Sequence, residues 1–447
     1  MQDYKHSVSL DESKCVGCTT CLKRCPTEAI RIRDGKASIR SSKCIDCGEC
    51  IKVCPHKAKR AVHDKLDRMK EFKVTVALPA PALYGQFDGI SSADYIIEGL
   101  HAVGFDHVFE VACAAEMVSA YTRMYLNRKD IVKPVISSAC PVITRMICMN
   151  YPYLAENIMP LLPPIEIAAK IARDRAAELH PDVKPSEIGI FFISPCTAKV
   201  SYVKNGFAGD KNNIDCVVSV RDTYFKLLDA MKSGEYPAHT SEAGMIGIGW
   251  AMTGGESSAA FNDSYLAADG IENCVRVLDQ IENKDITGLD FIELNACSGG
   301  CVGGAMTVAN PYIAQARLQS IKRYLPVSPN RPNDDDIPEY CFTDKSVFYG
   351  SEMRLSEDRN EAMRMMSDIE NITANLPGID CGSCGAPTCL AFAEDVVKKE
   401  TEIDECTVIM RELFHQCLSM RQANELTKKF IANKKAHINK EDEDDET

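Results

Sequence analysis

ELNACSGGCVGG, residues 293–304, closes a strand-like run on a cysteine and follows it with a glycine-rich turn that carries a second cysteine. Two other stretches have the same shape. PVISSA (134–139) runs into Cys140-Pro141, and IGIFFIS (188–194) runs into Pro195-Cys196. In open α/β sheets ligands gather outside the carboxyl ends of strands, so three strands that each end in a cysteine can bring those cysteines together from distant parts of the chain. Cys140, Cys196, Cys297 and Cys301 then supply four thiolates, enough for a 4Fe-4S cubane. The glycines around Cys301 let backbone approach a bulky group closely.

Outward from these segments, FKVTVAL (72–78), VFEV (108–111) and CVVSV (216–220) read as further strands. Between them SADYIIEGLHAVG, PIEIAAKIARDRAAEL and RDTYFKLLDAMK repeat apolar residues at three and four, the helical period. The alternation predicts an α/β domain on a mainly parallel sheet over residues 70–335.

The N-terminal 65 residues hold an internal repeat, CVGCTTCLKRCP (15–26) against CIDCGECIKVCP (44–55). The C-x2-C-x2-C-x3-C-P spacing gives three ligands to one cubane and the fourth to its neighbour. Cys15, Cys18, Cys21 and Cys54 form one set, and Cys44, Cys47, Cys50 and Cys25 the other. A single zinc site would leave half of these thiolates unused. The fold class expected is thus α/β, with a ferredoxin-like two-cluster domain (1–65) ahead of the larger domain.

After a Pro/Asn/Asp-rich loop, PVSPNRPNDDDIPEY, residues 336–372 read as linker and helix. A small helical domain (373–420) follows, with Cys381, Cys384, Cys389 and Cys406. Its GAPTCLAFAEDV segment resembles the small iron-sulfur domain of corrinoid iron-sulfur proteins, which implies a third accessory 4Fe-4S cluster, structural zinc being the alternative. Residues 421–447 read as a helical, then disordered acidic tail. Cys113, Cys148, Cys216, Cys274, Cys341 and Cys417 lack ligand spacing and are expected to be buried thiols.

Of 447 residues 22 are cysteine, and the formal net charge is −13. Cysteines in tight groups read as metal ligands of a cytoplasmic protein and not as disulfides. The acidic balance argues against nucleic acid as a partner. No stretch reaches the roughly 18–20 uninterrupted apolar residues of a membrane span, and MQDYKHSVSL is not a signal peptide.

The three cysteine segments resemble the signature motifs of the iron-only (FeFe) hydrogenases, in order. TSCCP is matched by SSACP (137–141), MPCxxKxxE by SPCTAKVSY (194–202), and ExMxCxGGCxxGGG by ELNACSGGCVGGA (293–305). The resemblance implies an iron hydrogenase large-subunit-like H-domain whose Cys140, Cys196, Cys297 and Cys301 hold the cubane of an H-cluster. Cys301 would bridge to a diiron azadithiolate subsite that needs maturation proteins. It further implies that Lys199 hydrogen-bonds a cyanide, and that Pro195 and the APAL segment (Ala80, Pro81, with Ala82 where serine is sometimes found) line the cofactor pocket. The activity implied is interconversion of H2 with protons and electrons, passed through the accessory clusters to a ferredoxin-like or signalling partner.

The departures are specific. The relay cysteine of active members is Ala139. Ser194 and Asn295 replace methionines, and a family MEE segment on the proton path aligns with Ala120, Tyr121 and Thr122. A methyl group passes no proton, and a positioned acid or base is typically worth about 10²- to 10⁴-fold, so slow turnover is expected. With the extra C-terminal cluster domain, this resembles the sensory branch of the family, in its form without a PAS domain. Glu256, in MTGGESS, and Glu293 are the candidates for a replacement relay. Two rival readings are a non-catalytic H2 or redox sensor and an iron-sulfur scaffold without the diiron subsite.

Overall fold

A computed structural model describes residues 4–207, 209, 212–231, 240–343, 355–417, 425 and 427–431. The Cys417 side chain and nearly all of the acidic tail lie outside the described residues. The chain divides into two compact units, Met1–Ala29 with Ile39–Met353, and Ile30–Ser38 with Arg354–Thr447. The segment Ile30–Ser38 thus packs with the C-terminal cysteine region, although it lies inside the N-terminal repeat.

Eleven strands are described: β1 (Val8–Leu10), β2 (Ile30–Arg33), β3 (Lys36–Ile39), β4 (Lys59–Ala61), β5 (Val74–Pro79), β6 (His107–Val108), β7 (Val135–Ile136), β8 (Ile188–Ser194), β9 (Cys216–Ser219), β10 (Tyr265–Asp269) and β11 (Phe291–Asn295). In the first unit, β1 and β4 pair antiparallel in the cysteine-repeat region. The larger region is built on two separate parallel sheets, ordered β6-β5-β8-β9 and β10-β11-β7. One mainly parallel sheet was expected. Neither β7 nor β6 exceeds two residues, and Val111, expected as a strand end, opens the helix Val111–Leu126.

The four-stranded sheet is central. Every residue of β5 and β8 is buried, and the two pair in register from Val74↔Ile188 to Pro79↔Ile193. Such continuous apolar runs are what a parallel strand covered on both faces requires. The helices Asp94–Val103, Pro164–Leu179 and Val220–Met231 match the three periodic segments, and Val111–Leu126 is a fourth that the period did not single out. Their apolar faces join the sheet in one large core.

A second core gathers Ile136, Ile143, Ile147, Leu278, Ile292 and Leu294 around the three-stranded sheet. Cys47, Cys140 and Cys196 pack against its edge. Cys113, Cys216, Cys274 and Cys341 are buried, whereas Cys148, expected to be buried, is only half-buried, packed at the margin of the second core.

In the second unit, the helices Arg359–Asn375 and Cys389–Val397 pack around Ile369, Phe392 and Ala393. Arg31, from β2, meets Asp395 there at 2.6 Å, with both side chains almost fully buried.

Candidate metal centre

The elements that carry the three cysteine segments all end at one place. Cys196 caps the helix Thr197–Lys204 just beyond β8, Cys140 caps the helix Pro141–Asn150 after β7, and Cys297 and Cys301 follow β11. Their turn closes against the other segments. A Cβ on Gly304 would collide with the Pro195 carbonyl oxygen, and one on Gly300, at φ 89°, would lie 2.7 Å from the Thr253 amide. The glycines are therefore required by close approach and by a left-handed backbone.

A cavity of about 60 Å³ sits at this convergence. Its walls include Ala80, Pro81, Ala139, Cys140, Pro195, Lys199, Glu256, Glu293, Asn295 and Cys301. Trp250, the one tryptophan of the chain, also lines it and donates Nε1–H to Ser119 at 2.8 Å. Ser194 is not among the lining residues. Its hydroxyl instead holds the turn at Cys196, accepting from the Cys196 amide at 3.1 Å. Of the segment aligned with the family's MEE, all three residues are buried, Tyr121 donates to Asp334 at 2.7 Å, and the Thr122 hydroxyl has no partner.

Burial pushes all four thiols of the site up, Cys297 to about 12. The Lys199 ammonium opposes this at Cys140, Cys196 and Cys301, and Lys52 does so at Cys297. Burial alone would pull the Lys199 ammonium down, but the four sulfurs hold it above its usual range. Four enclosed soft donors with a cation among them suit an anionic iron-sulfur group, whose metal displaces the thiol protons on binding. These residues therefore fit the cofactor that the motifs imply.

Two carboxyls complete the pocket. Glu293 is held by the amides of Gly254 (3.0 Å) and Ser257 (2.8 Å) and by the Asn295 side-chain amide (2.7 Å). Glu256 has one donor, Ser137 Oγ at 2.6 Å, and its Oε1 has none. Burial and then the neighbouring Glu293 push Glu256 up to about 8. Burial also raises Glu293, but its three N–H donors favour the ionised form, so Glu256 is the carboxyl that keeps a proton.

The cysteines of the repeat fall into two groups. Cys15, Cys18 and Cys54 act on Cys21, while Cys25 and Cys50 act on both Cys44 and Cys47. The second group abuts the cavity site. Thr197 donates to the Asp46 carbonyl at 2.6 Å, Arg145 donates to the Cys44 carbonyl at 2.9 Å, and Lys52 lies under the influence of both Cys47 and Cys297. Lys52 and Ser137 were not singled out from sequence. Lys52 is one of many lysines, and nothing local distinguishes Ser137 from Ser138.

In the second unit, Cys381, Cys384, Cys389 and Cys406 line one small cavity. Among the described residues no three His, Cys, Asp or Glu side chains close on a single ion. Thiolates that each hold a separate iron of a cubane have no need to.

Residues 7–55 match a 4Fe-4S dicluster domain, and residues 376–408 an Fe-S cluster family. Residues 73–265 and 257–305 match the iron only hydrogenase large subunit, C-terminal domain. The chain is 27% identical over 387 residues to the periplasmic Fe hydrogenase large subunit of Nitratidesulfovibrio vulgaris, covering 72% of this chain and 91% of that one. It is 25% identical over 393 residues to iron hydrogenase 1 of Clostridium pasteurianum, covering 70% and 67%. A variant of FeFe-hydrogenase HydA1 from Chlamydomonas reinhardtii aligns at a TM-score of 0.44 with 18% identity, over 60% of this chain and 90% of that one. No described helix is long and apolar enough to cross a membrane. With over half of its residues matched by that one model, the chain belongs to the iron-only hydrogenase large-subunit, C-terminal domain family.

Proposed function

We propose that this protein is a cytoplasmic iron-only hydrogenase of sensory type that interconverts H2 with two protons and two electrons, slowly. The observation that carries the reading is the convergence of Cys140, Cys196, Cys297 and Cys301 about the Lys199 ammonium, beside a cavity that Cys140, Cys301 and Lys199 line. Those four thiolates would hold an H-cluster cubane, with Cys301 shared with the diiron subsite. When bound, that group supplies the iron at which H2 is split or formed.

The rest is done by the chain. The Lys199 ammonium holds the anionic group in register with a charge-assisted hydrogen bond. Ala139 puts a methyl group where active relatives of this motif carry a thiol, which removes the fast proton route. Glu256, protonated below about pH 8 and bonded to Ser137, is placed to hold and pass the proton instead, with Glu293 as its ionised neighbour. Cys44, Cys47, Cys50 and Cys25 would hold the cubane that supplies electrons to the site, and Cys47 shares Lys52 with Cys297. The Cys15/Cys18/Cys21/Cys54 and Cys381/Cys384/Cys389/Cys406 cubanes are further electron stores. The cytoplasmic placement rests on cysteine usage, and the external partner is a ferredoxin-like or signalling protein.

Ala139 also favours a second reading, a sensor whose H2- or redox-dependent charge is passed to a partner with no productive turnover. The infrared spectrum of anaerobic protein, reconstituted with iron and sulfide and then given a synthetic diiron azadithiolate complex, tests the first reading. Narrow CO and cyanide bands that shift under H2 support it. Full cubane content with no such bands overturns it in favour of an iron-sulfur scaffold.

A further inference from the structure

The two halves of the N-terminal repeat correspond residue by residue, CLKRCPTEAI (21–30) with CIKVCPHKAK (50–59). The structure preserves the correspondence. Ala29 donates its amide to Cys25 Sγ at 3.2 Å, and Ala58 donates its amide to Cys54 Sγ at 3.3 Å. In each half the next residue opens a strand and is buried, Ile30 at 2% exposure and Lys59 at 3%. A position that the fold uses for an apolar side chain in the first half therefore carries an ammonium group in the second.

Lys59 Nζ is buried and has no hydrogen-bond partner. An ammonium removed from water without compensation carries a heavy desolvation penalty, so its presence calls for opposite charge nearby. The residue borders a cleft of about 700 Å³ whose walls carry Lys14, Lys52, Lys57, Arg60 and Arg221 against one carboxylate, the largely exposed Asp222 beside His63, so the cleft as a whole shares its sign. Cys54, of the first cysteine set, lines the same cleft, and β4, which Lys59 opens, packs on the short helix Glu49–Lys52 that carries Cys50 of the second set, so the charge of Lys59 bears on both groups.

We propose that Lys59 is a counter-charge shared by the two 4Fe-4S clusters of the ferredoxin-like region, and that it raises the reduction potential of both. An added electron makes either cluster more negative, so a buried cation within reach of both stabilises the reduced forms more than the oxidised ones. The repeat supplies the contrast, because the same position filled by isoleucine would exert no such pull. The proposal rests on the reading that Cys15/Cys18/Cys21/Cys54 and Cys44/Cys47/Cys50/Cys25 hold cubanes.

The test is an EPR-monitored potentiometric titration of the full chain, reconstituted with iron and sulfide but without the diiron subsite. Lys59→Ile installs the residue of the first half, and Lys59→Met keeps the length of the side chain without its charge. The expected result is that two cubane midpoints fall in both variants, while iron content and spin count stay at the wild-type level. Lys59→Arg, which keeps the charge, should hold both midpoints near wild type. Unchanged midpoints in either uncharged variant at full cluster content overturn the role of Lys59. A wild-type chain that never loads these two cubanes overturns the cluster reading instead, and the proposal with it.

Discussion

Ser137 donates its hydroxyl to Glu256 Oε2 at 2.6 Å, while its oxygen accepts the amide of Ala139 at 3.1 Å. One short bridge thus joins the backbone of the residue that lacks a relay thiol to a buried carboxyl on the cavity wall. With its value raised from the usual 4.5 to about 8, Glu256 carries a proton below that pH and loses it above. Proton reduction by the loaded enzyme should therefore decline as pH rises through about 8. Glu256→Gln keeps an acceptor for Ser137 but cannot release a proton. It should erase that inflection and slow turnover by about 10²- to 10⁴-fold, the usual worth of a positioned acid or base. An unchanged pH profile at equal cluster loading would remove Glu256 from the route.

Ala139 lines the cavity beside Cys140, so a thiol at this position faces the same space. Ala139→Cys should raise turnover by about 10²-fold or more, if the missing relay limits the rate. Measuring rate and infrared spectrum on one preparation separates this from altered loading. Faster turnover with unchanged bands supports the account, and an unchanged rate at full loading places the limit elsewhere.

How much of this was legible in the sequence depends on what each feature is made of. Cysteine spacing is a local property of the chain, so the groups around Cys15, Cys44 and Cys381 and the three strand-end cysteines stand out without a fold. The helix Pro164–Leu179 was equally plain, because its apolar period is local too. The division into two sheets was not, since it depends on which strands pair. β10, which reads as half-exposed YLAAD, gains its place only by pairing with β11. Burial is likewise non-local. Motif position names Glu256 and Glu293 as candidates, but which of them keeps a proton shows only once Ser137, Gly254 and Ser257 are folded against them.

Glu166 shows what burial does to a carboxyl that lacks close donors. It is 1% exposed, neither oxygen has a hydrogen-bond partner, and burial pushes it up to about 8 against the opposing pull of the Asn213 backbone. The folded state then keeps a proton that the unfolded chain releases near 4.5, so stability falls as pH rises from about 4.5 to about 8 and levels off beyond. Every tenfold gain in the folded carboxyl's affinity for its proton is worth roughly 1.4 kcal/mol of that slope. Glu166→Gln should remove this group's share of the slope, Glu256 keeping its own, and leave the protein more stable than wild type at pH 8. Denaturant midpoints at pH 5 and pH 8.5 check it, and parallel changes in the two proteins would count against it.

Asp395 is fully buried and accepts Arg31 Nε at 2.6 Å, Arg31 Nη2 at 2.9 Å and Arg33 Nη2 at 3.0 Å. Arg33 also donates to the Cys384 carbonyl at 2.7 Å, and the Ile32 amide donates to the Gly385 carbonyl at 2.9 Å. The cysteine loop of the second unit is thus tied to β2 by two direct bonds, and the Asp395 carboxylate anchors the arginines of that strand. Removing one partner of a buried ion pair costs about 3–5 kcal/mol, because the other charge is left uncompensated, whereas replacing both with apolar residues is far milder. Asp395→Ala should therefore destabilise the second unit by about that amount and speed hydrogen exchange at the Ile32 and Gly385 amides. Arg31→Leu combined with Asp395→Leu should recover much of the loss. Exchange rates that rise as much in the double variant as in Asp395→Ala would show that shape, and not the stranded charge, accounts for the effect.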